Sequence, residues 1–489
     1  MVPRVVNCVK IHSSVRAIRD RAFWPCSKQL RIMILNNGLQ EIGENAFYSC
    51  KTLQRIIIPN TVRTIKRQAF FSCGGLTNVT LRDGLEEIGE AAFGKCFLLH
   101  DIVIPPGVKE IGEYAFSYCQ SLTSVELPQG LEKIGDATFE QCTRLHTIII
   151  PSSVKVIPFN AFLGCLKLTN VELPQGLEEI GQSAFCECQS LRTVELPLGL
   201  DKIRDYAFSN CTNLLAIIIP PSVKVISCGA YADCMSLTNV ELPLGLEEIG
   251  QGAFSNCMDM QAFIIPPSVK VISRVAFTYC VQLTNVELSR GLEEIGENAF
   301  SYYESLTNVV LPQGLKKIGK GAFQHCSSLP AIVIPSSVKE IGKDAFKKCT
   351  SLTHVQFCEE IEEFVSGESM RLWWNHGLHD KCLSTYSFFV RCNIPVRVGL
   401  IQARKWQFNI HEMHRRIPAI IGNLAFYPWV LDCDLNAYFD SINSKLSIYE
   451  NLNDATVLLE LAINGNDTNI DDILNTDIVP RILSYLIDG

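Results

Sequence analysis

At 489 residues the chain is long enough for several globular domains, and its net charge of −8 leaves no basic surplus with which a face could hold nucleic acid. It has no apolar run of about 18 residues, so no membrane-spanning helix is expected.

The opening segment, MVPRVVNCVKIHSSVR, has no apolar run of signal-peptide length. Val6, Val9, Ile11, Val15 and Ile18 already follow the spacing of everything up to Phe357, so the array is expected to begin there. That spacing is clearest in Leu168 to Ser190, LTNVELPQGLEEIGQSAFCECQS. Phe185 recurs every 23 residues from Phe47 to Phe346, with Tyr231 standing in once, and a single 24-residue step leads in from Phe23. So regular a period predicts a stacked solenoid, here of about fifteen coils.

Within one copy the apolar positions are Leu168, Val171, Leu173, Leu177, Ile180, Ala184, Phe185 and Cys188. Val171 and Leu173 lie two apart and are expected to point inward from a short strand, with Glu172 outward. Pro174 lacks an amide hydrogen and ends that strand. Gly176, or Ser153, Ser222 and Ser268 at the same place, is expected to let the chain turn sharply. A second short extended segment begins at Ile180. No helix fits between Leu177 and Leu191. The expected architecture is β-rich, with one continuous parallel sheet along one face.

The 21 cysteines are not spaced as a disulfide framework. Fourteen form one ladder from Cys26 to Cys349, with Tyr303 at the missing rung. Rungs on stacked strands sit about 4.8 Å apart, whereas a disulfide needs Cβ atoms about 3.8 Å apart. The thiols are therefore expected to be reduced core residues, which points to a reducing, cytoplasmic compartment. Cys186 with Cys188 lacks the second ligand pair of a metal site, and no metal or cofactor is expected.

The pattern LxxVxLPxGLxxIGxxAFxxCxx resembles the leucine-rich repeat of BspA-type bacterial surface antigens, over residues 6–357. The resemblance implies a leucine-rich repeat solenoid and, for some members, adhesion at the cell surface, which is the alternative to a cytoplasmic location. It does not fix a function.

The copies are of two kinds, VELPQGLEEIG and IIIPSSVKVI, which mostly alternate. The residue after the turn therefore alternates in sign (Arg63, Glu86, Lys109, Glu132, Lys155, Glu178), which favours correct stacking. The outward column of the main strand alternates differently. It reads Val103, Glu126, Ile149, Glu172, Glu195, Ile218, Glu241, Ile264, Glu287, Val310 and Val333. Strand propensity alone accounts for exposed Ile and Val. The functional reading is a surface on which a protein partner buries the apolar rungs while the carboxylates set its orientation.

The rhythm stops after Phe357. Residues 358–489 contain Trp373, Trp374, Trp406 and Trp429 and several helically spaced segments, and are expected to form a small, mostly helical region that caps the array or docks a partner. His376, His379, Asp380 and Cys382, with His411, Glu412 and His414, are the only clustered candidates for metal or catalytic chemistry. HEMH is one residue short of a zincin helix motif. No phosphate-binding glycine loop or nucleophile elbow occurs. The expected function is a non-enzymatic protein-binding scaffold, with an enzyme or metal activity in residues 358–489 as the remaining alternative.

Overall fold

The computed structural model describes residues 7–24, 28–261, 263–352 and 354–357. Cys26, the helical reading of residues 358–489 and both histidine clusters lie outside them. Backbone contacts divide the chain into two units. Among the described residues, those from 7 to 329 with 335–349 form one, and 330–334 with 350–357 form the other. In the second, Ala331–Ile334 pairs in parallel with His354–Phe357.

The first unit is a parallel β-solenoid. A typical coil places a three-residue strand, a turn, a two-residue strand and a run of tight turns around one core, and the described residues contain no α-helix. In the copy quoted above, Asn170–Glu172 is the longer strand and Glu179–Ile180 the shorter. Leu168, Val171, Leu177, Ile180, Ala184, Phe185 and Cys188 are buried. The equivalent phenylalanines stack face to face from Phe23 to Phe346, with successive ring centroids 4.8–5.7 Å apart. One coil cannot cover its own apolar faces, so this column holds only as a stack.

The third side of the coil bonds without being a strand. The amides of Ser183, Phe185 and Glu187 donate to the carbonyls of Asp205, Ala207 and Ser209 in the next coil at 2.8–2.9 Å. Left-handed φ angles of 54° at Ser183 and 61° at Glu187 go with this geometry and recur on both sides of the phenylalanine in coil after coil.

The structure corrects three expectations. The longer strands do not make one continuous sheet. Their hydrogen-bonded ladder divides into two groups of four followed by pairs, whereas the two-residue strands run on in sheets of six and nine. The reason lies in the two kinds of coil. In the IIIP kind the strand continues far enough for Ile150 and Ile219 to donate to the carbonyls of Glu172 and Glu241 in the following coil, at 2.9 and 3.0 Å. In the VELP kind the chain leaves the sheet one residue earlier, and Leu173 and Leu242 make no such bond. The breaks fall after VELP-type coils, although Ser124–Glu126 still pairs onward with Thr147–Ile149.

Early departure also explains the second correction. Leu173 is half-buried rather than inward, while Ile150 at the same place is buried.

The third concerns the turn. Gly176 does not have a left-handed φ, since those angles fall around the phenylalanine instead. Close approach of the preceding coil excludes a side chain at some positions of its column: a Cβ on Gly84 would lie 1.6 Å from the Asn60 carbonyl oxygen and one on Gly291 2.0 Å from that of Pro267, whereas at Gly176 the nearest backbone atom would be 4.0 Å away. Ser153, Ser222 and Ser268 are stitches, each donating to two carbonyls of the preceding turn, including Gln129, Leu198 and Leu244 at 2.7–2.9 Å.

Candidate functional site

The three-residue strands have one side chain in and two out. Val171 is buried between exposed Asn170 and Glu172, and the same exposed–buried–exposed pattern recurs along the array. Two outward columns result. Every residue of the predicted binding column from Val103 to Val310 is exposed. Backbone register places Val103 opposite Glu126, Ile149 opposite Glu172, and Ile218 opposite Glu241. Ile264 bridges to Glu287, which in turn pairs with Val310. Glu195 lies in a coil whose longer segment is not a regular strand. Val333 is exposed on Ala331–Ile334, in the second unit.

The apolar rungs are most open toward one end. Ile218, Ile264 and Val310 are 63–67% exposed, against 47% for Ile34. Sequence reasoning missed Leu198 and Leu244, the most exposed large apolar residues described, at 74% and 80%. Each follows a column carboxylate, Glu195 or Glu241, by three residues. The signal was present, because Leu stands there where other copies carry Gln129, Gln175 or Gln313.

Charge divides the surface. Along the two-residue strands, Glu41, Glu110, Glu179 and Glu294 are paired from a neighbouring coil, whereas Glu87, Glu248 and Glu340 have no ion pair among the described residues. Lys66 pairs with Glu41 at 2.8 Å, Lys317 with Glu294 at 3.0 Å, and Lys133 with Glu110 at 3.7 Å. Arg204 clasps Glu179 through Nε at 2.8 Å and Nη2 at 3.2 Å, and holds that carboxyl below the usual range. The alternating column after the turn is paired in part, by Arg63 with Glu86, Lys109 with Glu132 and Lys316 with Glu293. Lys155 and Lys224 instead donate to the carbonyls of Gly176 and Gly245.

On the main-strand face none of this happens. Its two outward columns between residues 101 and 310 hold Asp101, Glu126, Glu172, Glu195, Glu241 and Glu287 and no lysine or arginine. None of these six has an ion pair among the described residues.

Three further groupings stand out. Each described ladder thiol from Cys73 to Cys349 donates to the carbonyl of the aromatic residue 26 positions before it, at 3.1–3.3 Å. That carbonyl also accepts an amide of its own coil, as Phe162 does from Cys165. Burial pushes the Cys119 thiol up to about 12. Tyr279, Tyr302 and His325 form a partly exposed stack with centroids 4.3 and 4.4 Å apart. The hydroxyl of Tyr231 is buried with no hydrogen-bond partner among the described residues. Among those residues there is no group of three or more metal-ligating side chains, and no helix long and apolar enough to cross a membrane.

A family model for the BspA type leucine-rich repeat region matches residues 5–119, 40–168, 155–284 and 270–367. Among solved structures, a leucine-rich repeat protein from Bacteroides ovatus is 30% identical, with a TM-score of 0.60 over 73% of this chain and 88% of that one. A leucine-rich cell surface protein from Faecalibacterium prausnitzii is 26% identical over 72% of this chain and 88% of that one, at a TM-score of 0.36. A leucine-rich repeat protein from T. pallidum is 32% identical over 39% of this chain and 79% of that one, at a TM-score of 0.32. No curated protein matches. The expected cytoplasmic location finds no support in these relatives.

Proposed function

The chain belongs to the BspA-type leucine-rich repeat family, and from that premise we propose that it is a non-enzymatic scaffold that binds a protein partner on the main-strand face of its solenoid. The observation that carries the proposal is the contrast between the faces. On the shorter-strand side the protein pairs several of its own carboxylates. On the main-strand side it leaves carboxylates unpaired between exposed Ile and Val rungs, where a charged residue would serve solubility better. The residues assigned to contact are Val103, Glu126, Ile149, Glu172, Glu195, Ile218, Glu241, Ile264, Glu287 and Val310, all in the first unit.

The test is Ile218→Lys combined with Ile264→Lys in the full chain. Two central anchors removed from an interface cost about 2 kcal/mol or more each, roughly a thousandfold in affinity together. Both sites are exposed and flank Glu241, so thermal unfolding should hardly change. Partner capture at wild-type strength by the double variant would eliminate this face and leave strand propensity as the reason for its Ile and Val.

A further inference from the structure

We infer that the stretch from Glu195 to Val310 receives a cationic, amphipathic α-helix of the partner, lying along the column and across the strands. The inference rests on the proposed binding role of the face and adds what the face recognises. Over these six coils the column reads Glu195, Ile218, Glu241, Ile264, Glu287, Val310, a strict alternation of carboxylate and apolar rung. Just before it, Glu172 and Glu195 are adjacent and break the phase, so the regular stretch has a defined start. It also contains the three most exposed apolar rungs of the column and, beside it, Leu198 and Leu244.

Spacing selects the helix. Successive rungs are about 4.8 Å apart, so like rungs recur every two coils, about 9.6 Å. An α-helix rises about 5.4 Å per turn and about 10.5 Å per heptad, so one face can offer an apolar and a basic side chain on alternate turns. The mismatch is about 0.5 Å per rung and accumulates to roughly 3 Å across the stretch, within the reach of a flexible lysine. An extended strand along the same line places same-face side chains about 6.8 Å apart and loses register within two rungs. A polyproline II segment repeats about every 9.3 Å and fits the apolar rungs, but it puts no side chain on that face midway, where the carboxylates stand. Charge selects the sign, since Glu195, Glu241 and Glu287 have no cation of their own within ion-pair distance. The partner segment is therefore about 16–18 residues long, with one apolar and one basic residue per heptad alternating along one face.

The experiment uses the full chain and an 18-residue alanine-based peptide in which Leu and Lys alternate every three or four residues. Its control has the same composition with the lysines moved to the face opposite the leucines. Binding is read by fluorescence anisotropy at low and physiological salt. The patterned peptide should bind at least tenfold more tightly than the control and weaken as salt rises. Glu241→Gln with Glu287→Gln should weaken it at least tenfold. Equal binding of the two peptides, indifference to the double substitution, or no saturable binding up to about 1 mM would each overturn the inference. If partner capture is lost in the Ile218→Lys, Ile264→Lys variant yet unaffected by the two Glu→Gln changes, the binding face stands and the cationic helix falls.

Discussion

Tyr231→Phe should stabilise the protein, although it removes a polar group and adds no contact. The ring of Tyr231 stacks between Phe208 and Phe254, with centroids 5.4 Å away on either side and planes within 6° of parallel. The side chain is fully buried and its hydroxyl has no hydrogen-bond partner. A buried, unsatisfied hydroxyl costs about 1–3 kcal/mol of desolvation. Deleting it forfeits a few atom–atom contacts at about 0.1–0.2 kcal/mol each, roughly 0.5 kcal/mol in all. The net expectation is a gain of about 1–2 kcal/mol, with the stack retained. Urea unfolding followed by far-ultraviolet circular dichroism measures it. Because repeat arrays need not unfold in one step, hydrogen exchange in the coils flanking residue 231 should slow in parallel. A loss of about 0.5 kcal/mol or more would show that the hydroxyl is satisfied, and would refute the reading of this column as a purely apolar stack.

Other expectations follow from the same geometry. Phe185→Ala should cost about 3–5 kcal/mol by opening a cavity between stacked rings, and Glu172→Ala less than about 0.5 kcal/mol; similar losses would mean that the inward face is misassigned. The ladder thiols should resist alkylation until the protein is denatured, while exposed Cys8 reacts in the native state; mass spectrometry finding a Cys142–Cys165 disulfide would contradict the packing. Glu179→Gln should cost under about 1 kcal/mol at neutral pH, since the carboxylate is partly exposed. Arg204 depresses the folded pKa of Glu179, so the wild-type advantage is present above the ordinary value of 4.5 and disappears as pH falls through the depressed one. An advantage that persists unchanged at about pH 2, measured by urea unfolding across the pH range, would sink that assignment.

Much of the site was legible because solenoid stacking turns sequence period into spatial adjacency. Once Phe185 fixes the register, Ile218 and Glu241 must be neighbours, and their backbone pairing agrees. Alternation within the strand gave the outward direction of Glu172 for the same reason. Leu198 and Leu244 were legible too, as the leucines in a turn column otherwise made of polar residues and proline, but they lie outside the strand whose alternation marks the outward face.

Period, the phenylalanine and cysteine ladders and the outward columns were determined by the sequence alone, because each depends only on which residues recur at the same place in a coil. Three things needed the tertiary structure, because each depends on how one coil's backbone meets the next. The sheet breaks where Leu173 leaves the ladder one residue before Ile150 does. Gly84 has no room for a side chain because a Cβ there would run into the Asn60 carbonyl. On the shorter-strand side stacking decides which carboxylates are paired, bringing Lys66 to Glu41 and Arg204 to Glu179 but no lysine or arginine to Glu87 or Glu248 among the described residues. The main-strand face keeps its charge unpaired for a reason already in the sequence, since its outward columns between residues 101 and 310 hold no lysine or arginine.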